Sequence, residues 1–468
     1  MVMDRYYSDT DTIAAVATAA GNSGIGIIRV SGREACRIVD QVFCMGKGDR
    51  PGKSLEQADS HTVHYGVIQD GNQVIDEVLV LVMRGPRSYT AEDTVEIDCH
   101  GGVLVMRRIL ETVIRHGARA AEPGEFTRRA FLNGRIDLSQ AEAVMGLIQA
   151  KNQYALESSV SQLKGSVSRK VGELRQEILY QLAYIESALD DPEHISLDGY
   201  GQKLMEVLEP VIRQVEKLVA SADQGRLVSE GIRTVILGKP NVGKSSLMNV
   251  LLGEERAIVT DIAGTTRDIL EEQISLGGIT LKIVDTAGIR ETQDLVERIG
   301  VTRARQVADQ ADFLLYVVDG SCPLDRNDEQ IMELIRERKA VVLLNKKDLE
   351  LVVDQDELAE RTGCPVIPIS AREETGIEEL EKTIQELFYQ GAIDFNDQVL
   401  ITSVRHKAAL EAALESLGMV VRGIEDGMPE DFLTIDLMDA YRSLGLITGE
   451  SVEDDLVDEI FGKFCMGK

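Results

Sequence analysis

Apolar and polar positions change their pattern several times along this chain. Between residues 10 and 118, short apolar runs alternate with one-sided helical stretches, which predicts a small α/β domain. Gly24 to Val30 (GIGIIRV) reads as a glycine-rich turn running into a strand. Arg33 to Phe43 reads as a helix, with Ala35, Ile38, Val39 and Val42 on its apolar side. Val78 to Met83 and Thr94 to Ile97 read as strands. Gly101-Gly102 reads as a tight turn that opens a helix to about His116. From about Ser139 the pattern becomes helical. Leu156, Val160, Leu163, Val167, Val171, Leu174, Ile178, Leu182, Ile185 and Leu189 are spaced by threes and fours, with no proline among them. That spacing predicts one long, nearly straight helix with an apolar stripe facing a bundle core.

From 225 to 391 short apolar runs and helices alternate again, as a doubly wound sheet requires. Helical periodicity then resumes through Leu400 to Val421, Asp431 to Leu444 and Val452 to Phe464. The helical region is therefore split, and the cheapest architecture inserts the second α/β domain into it, with the inserted domain's ends close together. The expected fold is multidomain α/β plus α. The expected boundaries are an N-terminal α/β domain at 1–133, helical segments at 134–224 and 392–468, and the inserted domain at 225–391.

Composition changes this picture little. The chain has 468 residues, too many for one ordinary core, and about three domains are expected. No stretch approaches a membrane span, and the start, MVMDRYYSDTDT, lacks a signal-peptide pattern. The six cysteines show no metal-ligand or disulfide spacing, which suits a reducing cytoplasm. A net charge of −29 argues against indiscriminate nucleic-acid binding but leaves room for RNA held by a local basic patch.

The chemistry begins in the inserted domain. Thr234 to Leu237 reads as a buried strand, and Gly238 opens a loop that closes on Gly243, Lys244 and Ser245, followed by an apolar helix (Leu247, Val250, Leu251). This is the full G-x4-G-K-S phosphate loop in the context it needs. Glycines let successive N–H groups turn toward one anion, and the helix N-terminus adds its positive end. Lys244 can reach the β- and γ-phosphates, and the Ser245 hydroxyl suits Mg2+. Asn241, Val242 and Ser246 complete the loop's contact set.

Other strand ends carry matching chemistry. Asp285-Thr286-Ala287-Gly288 follows the strand Leu281 to Val284; its aspartate can hold the Mg2+ shell and its glycine can bring an N–H to the γ-phosphate. Asn345-Lys346-Lys347-Asp348 ends the run Ala340 to Leu344. A carboxylate there accepts guanine N1–H and N2–H, which adenine does not offer, and such a site rejects the wrong base by roughly 10^4-fold or more. Ser370-Ala371-Arg372 follows Val366 to Ile369 and can set a backbone N–H on guanine O6. Together these motifs imply a Ras-like GTPase with GTP as substrate.

Ras-like enzymes place a water-positioning glutamine just after the glycine that ends Asp285 to Gly288, but here Ile289 stands there. Some other group must orient the water, and a cation must be supplied. A side-chain oxygen at Asn241 could bind a monovalent cation beside the β- and γ-phosphates. The loop Thr260, Asp261, Ile262, Ala263, Gly264, Thr265 and Thr266 offers carbonyls able to close over it, and the Thr266 hydroxyl can complete the Mg2+ shell.

Several long segments resemble the tRNA uridine-modification GTPase family, MnmE or TrmE. They are DTIAAVATAAGNSGIGIIRVSG, PGEFTRRAFLNGRIDLSQAEAV, GTTRD, DTAGIRE, VERIG and the Cys465-Met466-Gly467-Lys468 end, where the family usually has isoleucine in place of Met466. The resemblance implies an N-terminal folate-binding and dimerising domain, a split helical domain and an inserted G domain. It implies a cytoplasmic homodimer that works with the flavoprotein MnmG (GidA), as a heterotetramer. Together they add an aminomethyl or carboxymethylaminomethyl group to carbon 5 of the wobble uridine of certain tRNAs. The carbon comes from a tetrahydrofolate derivative (5-formyl or 5,10-methylene as the bound form). By the same resemblance K+ is held by Asn241 and the carbonyls of Thr260, Ile262 and Thr265, and Glu297 orients the water. The folate residues are matched by Arg29, Glu96, Arg135 and Lys468, with Arg135 where the family generally carries lysine. A carboxylate such as Glu96 suits paired pterin donors, and arginines suit the glutamate tail. Cys465 and His100 also draw notice, although a packed thiol and a structural histidine are the simpler readings.

Other readings are a ribosome-assembly GTPase, which would carry a basic RNA-binding appendage after residue 391, and a membrane-assembling scaffold GTPase. The acidic SVEDDLVDEI tail points away from the second.

Overall fold

A computed structural model describes residues 11–19, 21–46, 54–253, 272–284, 307–389 and 399–450, with 457, 460–462, 464 and 467. The chain divides into two compact units, 1–145 with 445–468, and 146–444.

The first unit is built on a seven-stranded sheet. In chain order its elements are β1 (Ile13–Val16), β2 (Ser23–Ser31), α1 (Ala35–Asp40), β3 (Phe43–Met45), β4 (Thr62–Asp70), β5 (Gln73–Met83), β6 (Thr94–Gly101), α2 (Val103–Arg115), β7 (Arg119–Ala120), α3 (Glu125–Leu132) and the start of α4 (Leu138–Gln149). The strand order is β3-β4-β5-β6-β2-β1-β7, antiparallel except that β7 runs parallel to β1. One sheet face is apolar: Ile28, Val30, Val80, Val82, Val95 and Ile97 pack with Ile38, Val39, Ile109 and Val113 of α1 and α2. Register sets Arg29 opposite Glu96 on the other face, because alternate side chains of a strand point to opposite sides. The far C-terminal residues Val457, Phe461 and Phe464 join Ala130, Leu138 and Ala141 in a second small core of this unit.

An ionic lattice ties the start of α3 to the chain before β1. Arg129 donates to Asp11 at 2.6 Å and to Glu125 at 3.0 Å, and Arg119 donates to Glu125 at 2.5 Å and to Asp11 at 2.7 Å. Burial alone would push the Glu125 carboxyl up, but the bonds from Arg119 and the Glu122 N–H, with Arg129 nearby, hold it below the usual range.

The second unit holds α5 (Gln153–Leu163), α6 (Ser166–Asp190), α7 (Tyr200–Glu230), and then a six-stranded sheet with its helices. Its strands are β8 (Ile232–Leu237), β9 (Glu272–Leu276), β10 (Ile279–Ile283), β11 (Phe313–Asp319), β12 (Ala340–Asn345) and β13 (Val366–Pro368). The helices among them are α8 (Lys244–Leu251), α9 (Arg326–Ile335), α10 (Gln355–Thr362) and α11 (Ile377–Tyr389); α12 (Val404–Glu425) and α13 (Glu430–Thr448) follow. The order β13-β12-β11-β8-β10-β9 is parallel throughout, except that edge strand β9 is antiparallel. Both faces are covered, so β11 and β12 read as continuous apolar runs rather than alternating ones.

The long helix expected over 156–189 is two helices. Gly165, at φ +81, takes a left-handed conformation between Lys164 and Ser166, where α5 stops and α6 begins. A single residue at positive φ ends an α-helix however well the apolar stripe continues, and glycine adopts that φ without a Cβ penalty. The stripe itself is real within α6, where Val167, Val171, Leu174, Ile178, Leu182 and Ile185 are all buried, while Leu156 and Leu189 at its ends are exposed. The helix expected over 33–43 is shorter, α1, because Phe43 already pairs with Ile68 in the sheet.

Candidate functional site

The carboxyl ends of β8, β11, β12 and β13 converge, which is where an open α/β sheet offers a crevice. After β8 the backbone takes φ +150 at Gly238, +62 at Asn241 and +102 at Gly243. Glycine is required at both ends of this loop by its neighbours. A Cβ on Gly238 would come 2.5 Å from the Val317 carbonyl of β11, and one on Gly243 would come 2.2 Å from Asn345 Nδ2. Lys244 Nζ donates to the carbonyls of Gly238 and Lys239, both at 2.7 Å, so the ammonium is folded back over the loop. Ser245 and Ser246 stand exposed in the first turn of α8, and Asn241 is exposed at the tip.

Asn345 joins the motifs that sequence separates. It is only 3% exposed. Its Nδ2 donates to the Val242 carbonyl at 2.8 Å, and its Oδ1 accepts the Ala371 N–H at 3.0 Å. One amide thus holds the 238–245 loop and the Ser370-Ala371-Arg372 loop at fixed separation. Ser370 Oγ donates to Asp348 Oδ1 at 2.7 Å, which orients that carboxylate, and the Lys347 N–H donates to the Ile369 carbonyl at 3.0 Å. Lys346, at φ +69, places its Nζ 2.5 Å from Asp319 Oδ2. Burial would raise the Asp319 carboxyl, but bonds from Lys346 and Ser321 bring it below the ordinary range. Arg372 is exposed beside them. Sequence reasoning did not find Asp319. Its signal is an acidic residue closing the buried run Phe313 to Val318.

The expected site residues Thr260, Asp261, Ile262, Ala263, Gly264, Thr265, Thr266, Asp285, Thr286, Ala287, Gly288 and Glu297 lie outside the described residues, as do Cys465 and Lys468. Among the described residues no group of His, Cys, Asp and Glu side chains is arranged to hold a metal ion, and no helix is long and apolar enough to cross a membrane.

A second cluster forms in the first unit. Arg29 Nε donates to Glu96 Oε1 at 2.7 Å, with both side chains about six-sevenths buried (14% and 16% exposed). Arg29 Nη1 also donates to the carbonyl of Gly467 at 3.1 Å, so the C-terminal residues described reach this site. A Cβ on Gly467 would sit 2.3 Å from the Val16 carbonyl, which permits only glycine at so close an approach. The guanidinium of Arg29 lies 5.2 Å from the Tyr89 ring centroid and 5.6 Å from that of Phe126, and Arg135 lies 5.1 Å from Tyr89. Arg29, Glu96 and Arg135 are thus brought together around Tyr89, an aromatic face that the sequence reading did not single out. His100 is elsewhere: it is mostly exposed and pairs with Asp76 at 2.7 Å.

Residues 12–135 match the family pattern described as the GTP-binding protein TrmE N-terminus, and residues 138–465 match the MnmE helical domain. Among curated relatives, the tRNA modification GTPase MnmE of Lachnoclostridium phytofermentans is 55% identical over 459 residues, covering 98% of this chain and 100% of that protein. Those of Listeria welshimeri and Alkaliphilus metalliredigens are each 49% identical, covering 98% of this chain and 99% of theirs. With identity of this degree from end to end, the chain belongs to the MnmE family of tRNA modification GTPases.

Proposed function

We propose that this chain hydrolyses GTP to drive the modification of carbon 5 of the wobble uridine in certain tRNAs, using a one-carbon unit from a tetrahydrofolate. The observation that carries the nucleotide reading is the Asn345 amide. It braces the phosphate loop against the Ser370-Ala371-Arg372 loop, with Asp348 held beside them. The relatives' names, tRNA modification GTPase, support tRNA as the target.

In this reading Lys244 meets the β- and γ-phosphates, and the hydroxyls of Ser245 and Thr266 hold Mg2+, with Asp285 behind them. Asp348 accepts the guanine N–H groups. Ser245 is an exposed hydroxyl at the N-terminus of α8, a hard oxygen donor that fits Mg2+. Asn241, exposed at the loop tip, fits a K+ ligand, with the carbonyls of Thr260, Ile262 and Thr265 completing that set. K+ would supply positive charge where phosphate charge develops, and Glu297 would orient the attacking water in place of the absent glutamine. The Arg29, Glu96 and Arg135 cluster fits a folate. A carboxylate has about four lone-pair sites, so Glu96 can keep Arg29 and still accept pterin N–H groups, while Tyr89 offers a ring face. Lys468 would join from the C-terminus. The four-segment division at 133, 224 and 391, the homodimer, the heterotetramer with the flavoprotein MnmG and a cytoplasmic location belong to the same proposal.

The test is reconstitution with that flavoprotein, methylene-tetrahydrofolate, an amino donor, GTP and an unmodified tRNA. Mass spectrometry of the digested tRNA should show the wobble uridine gaining a C5 substituent only when all components are present. Full modification without GTP, or none with everything supplied, would reject the proposal.

A further inference from the structure

Lys239 occupies a position that the phosphate-loop pattern leaves free, and its side chain is engaged away from Lys244. Its Nζ lies 2.6 Å from Asp328 Oδ2 and 2.9 Å from Asp325 Oδ2, at the start of α9. Asp328 is 1% exposed. The same carboxylate accepts the Asp325 N–H at 2.9 Å and the hydroxyl of Tyr316, fully buried in β11, at 2.8 Å. Asp325 in turn accepts the N–H groups of Asn327 and Asp328, closing a reciprocal cap on α9. Among the described residues Lys239 pairs with Asp328, and a buried carboxylate without a cation is costly. Burial would draw the lysine's pKa down, but the bonds from Asp328 and Asp325 lift it above the ordinary range, so its charge persists at neutral pH.

The main chain of the same residue faces the other way. The Lys239 carbonyl, with that of Gly238, accepts Lys244 Nζ at 2.7 Å. The backbone between them takes positive φ at Gly238, Asn241 and Gly243, a shape that a free loop populates poorly.

We infer that Lys239 is a positioning residue: anchored through Asp328 to Tyr316 and α9, it holds its own carbonyl where Lys244 is parked and keeps the phosphate loop in its nucleotide-ready shape before nucleotide arrives. The inference rests on reading residues 238–245 as the GTP phosphate loop. Without the anchor, ordering the loop is charged to binding, so ground-state affinity falls while the bound complex turns over as before.

The experiment measures GDP and GTP dissociation constants, KM and kcat on the full chain for Lys239→Met, Lys239→Arg, Asp328→Asn, the Lys239→Met/Asp328→Asn double variant and Lys244→Ala. Lys239→Met should weaken both nucleotides about tenfold and raise KM about tenfold, with kcat within about twofold. Lys239→Arg should return affinity to within about threefold, since a guanidinium can bridge both carboxylates. The double variant should be no weaker than Lys239→Met, because one network is lost either way. In Asp328→Asn the one amide oxygen still accepts the Asp325 N–H and the amide N–H faces the Tyr316 hydroxyl, which then accepts instead of donating, so the variant carries the test if Lys239→Met does not fold; it should weaken GDP about threefold. If Lys244→Ala loses nucleotide while Lys239→Met and Asp328→Asn bind like the parent, or if single losses simply add, the inference is overturned. If Lys244→Ala itself binds normally, the reading of the loop fails, and this inference with it.

Discussion

Replacing Asn345 by alanine should loosen the nucleotide unit from its centre. The substitution removes the donor to the Val242 carbonyl and the acceptor for the Ala371 N–H, and both of those residues are buried, at 2% and 7% exposure. Leaving a buried backbone group without a partner costs about 1–3 kcal/mol, so two such groups put the loss at about 2–6 kcal/mol. Unfolding of a multi-unit chain is not two-state, so the measurement belongs in native-state hydrogen exchange of β8 and β12. The lower bound corresponds to at least about 30-fold faster exchange of their slowest amides, at about 1.4 kcal/mol per decade. Fluorescent GDP binding should weaken in the same variant, because the phosphate and base loops are no longer held at one separation. Asn345→Asp is the informative partner. It keeps an acceptor for Ala371 but sets a second oxygen against the Val242 carbonyl, so it should be no better than alanine. Exchange within threefold of the parent for Asn345→Ala, or full recovery with aspartate, would refute the bracing role.

Gly165→Ala forces a Cβ residue into φ +81 and should cost about 1–2 kcal/mol, read as faster amide exchange in α5; unchanged protection would show the helix break to be adaptable. Glu125, whose carboxyl is held below its usual range, contributes stability that is present at neutral pH and is lost as pH falls through its lowered folded value. Protection of α3 should therefore drop in acid, and Glu125→Gln should start lower and depend less on pH; identical profiles would exclude Glu125 as the source. Arg29→Ala and Glu96→Ala should each weaken folate binding at least about tenfold with GDP affinity retained, measured by calorimetry, and unchanged folate affinity in both would remove the cluster from consideration. GTP hydrolysis should run much faster in potassium than in sodium, with Asn241→Ala abolishing the difference; equal initial rates in the two salts would exclude a potassium role.

Signals that live within a few residues were legible from the chain alone. The glycine-rich 238–245 loop and the Asn345 to Asp348 turn depend on local spacing and follow or close the strands expected of them, and the apolar runs read at 234–237, 340–344 and 366–369 fall on β8, β12 and β13. The inserted α/β pattern and the split helical pattern are periodicities, and periodicity is a property of sequence. What sequence could not supply was partnership across the chain. Asn345 reaches Val242 over 103 positions, and Arg29 reaches Gly467 over 438. Tyr89 becomes the ring between two arginines only because the sheet and α3 bring them to it. Lys239 and Asp328 are unremarkable charges until β11 and α9 bury one against the other. The apolar stripe at 156–189 misled for the complementary reason. Side-chain spacing reports which face is buried, whereas Gly165 ends a helix through its backbone dihedral, which the stripe does not encode.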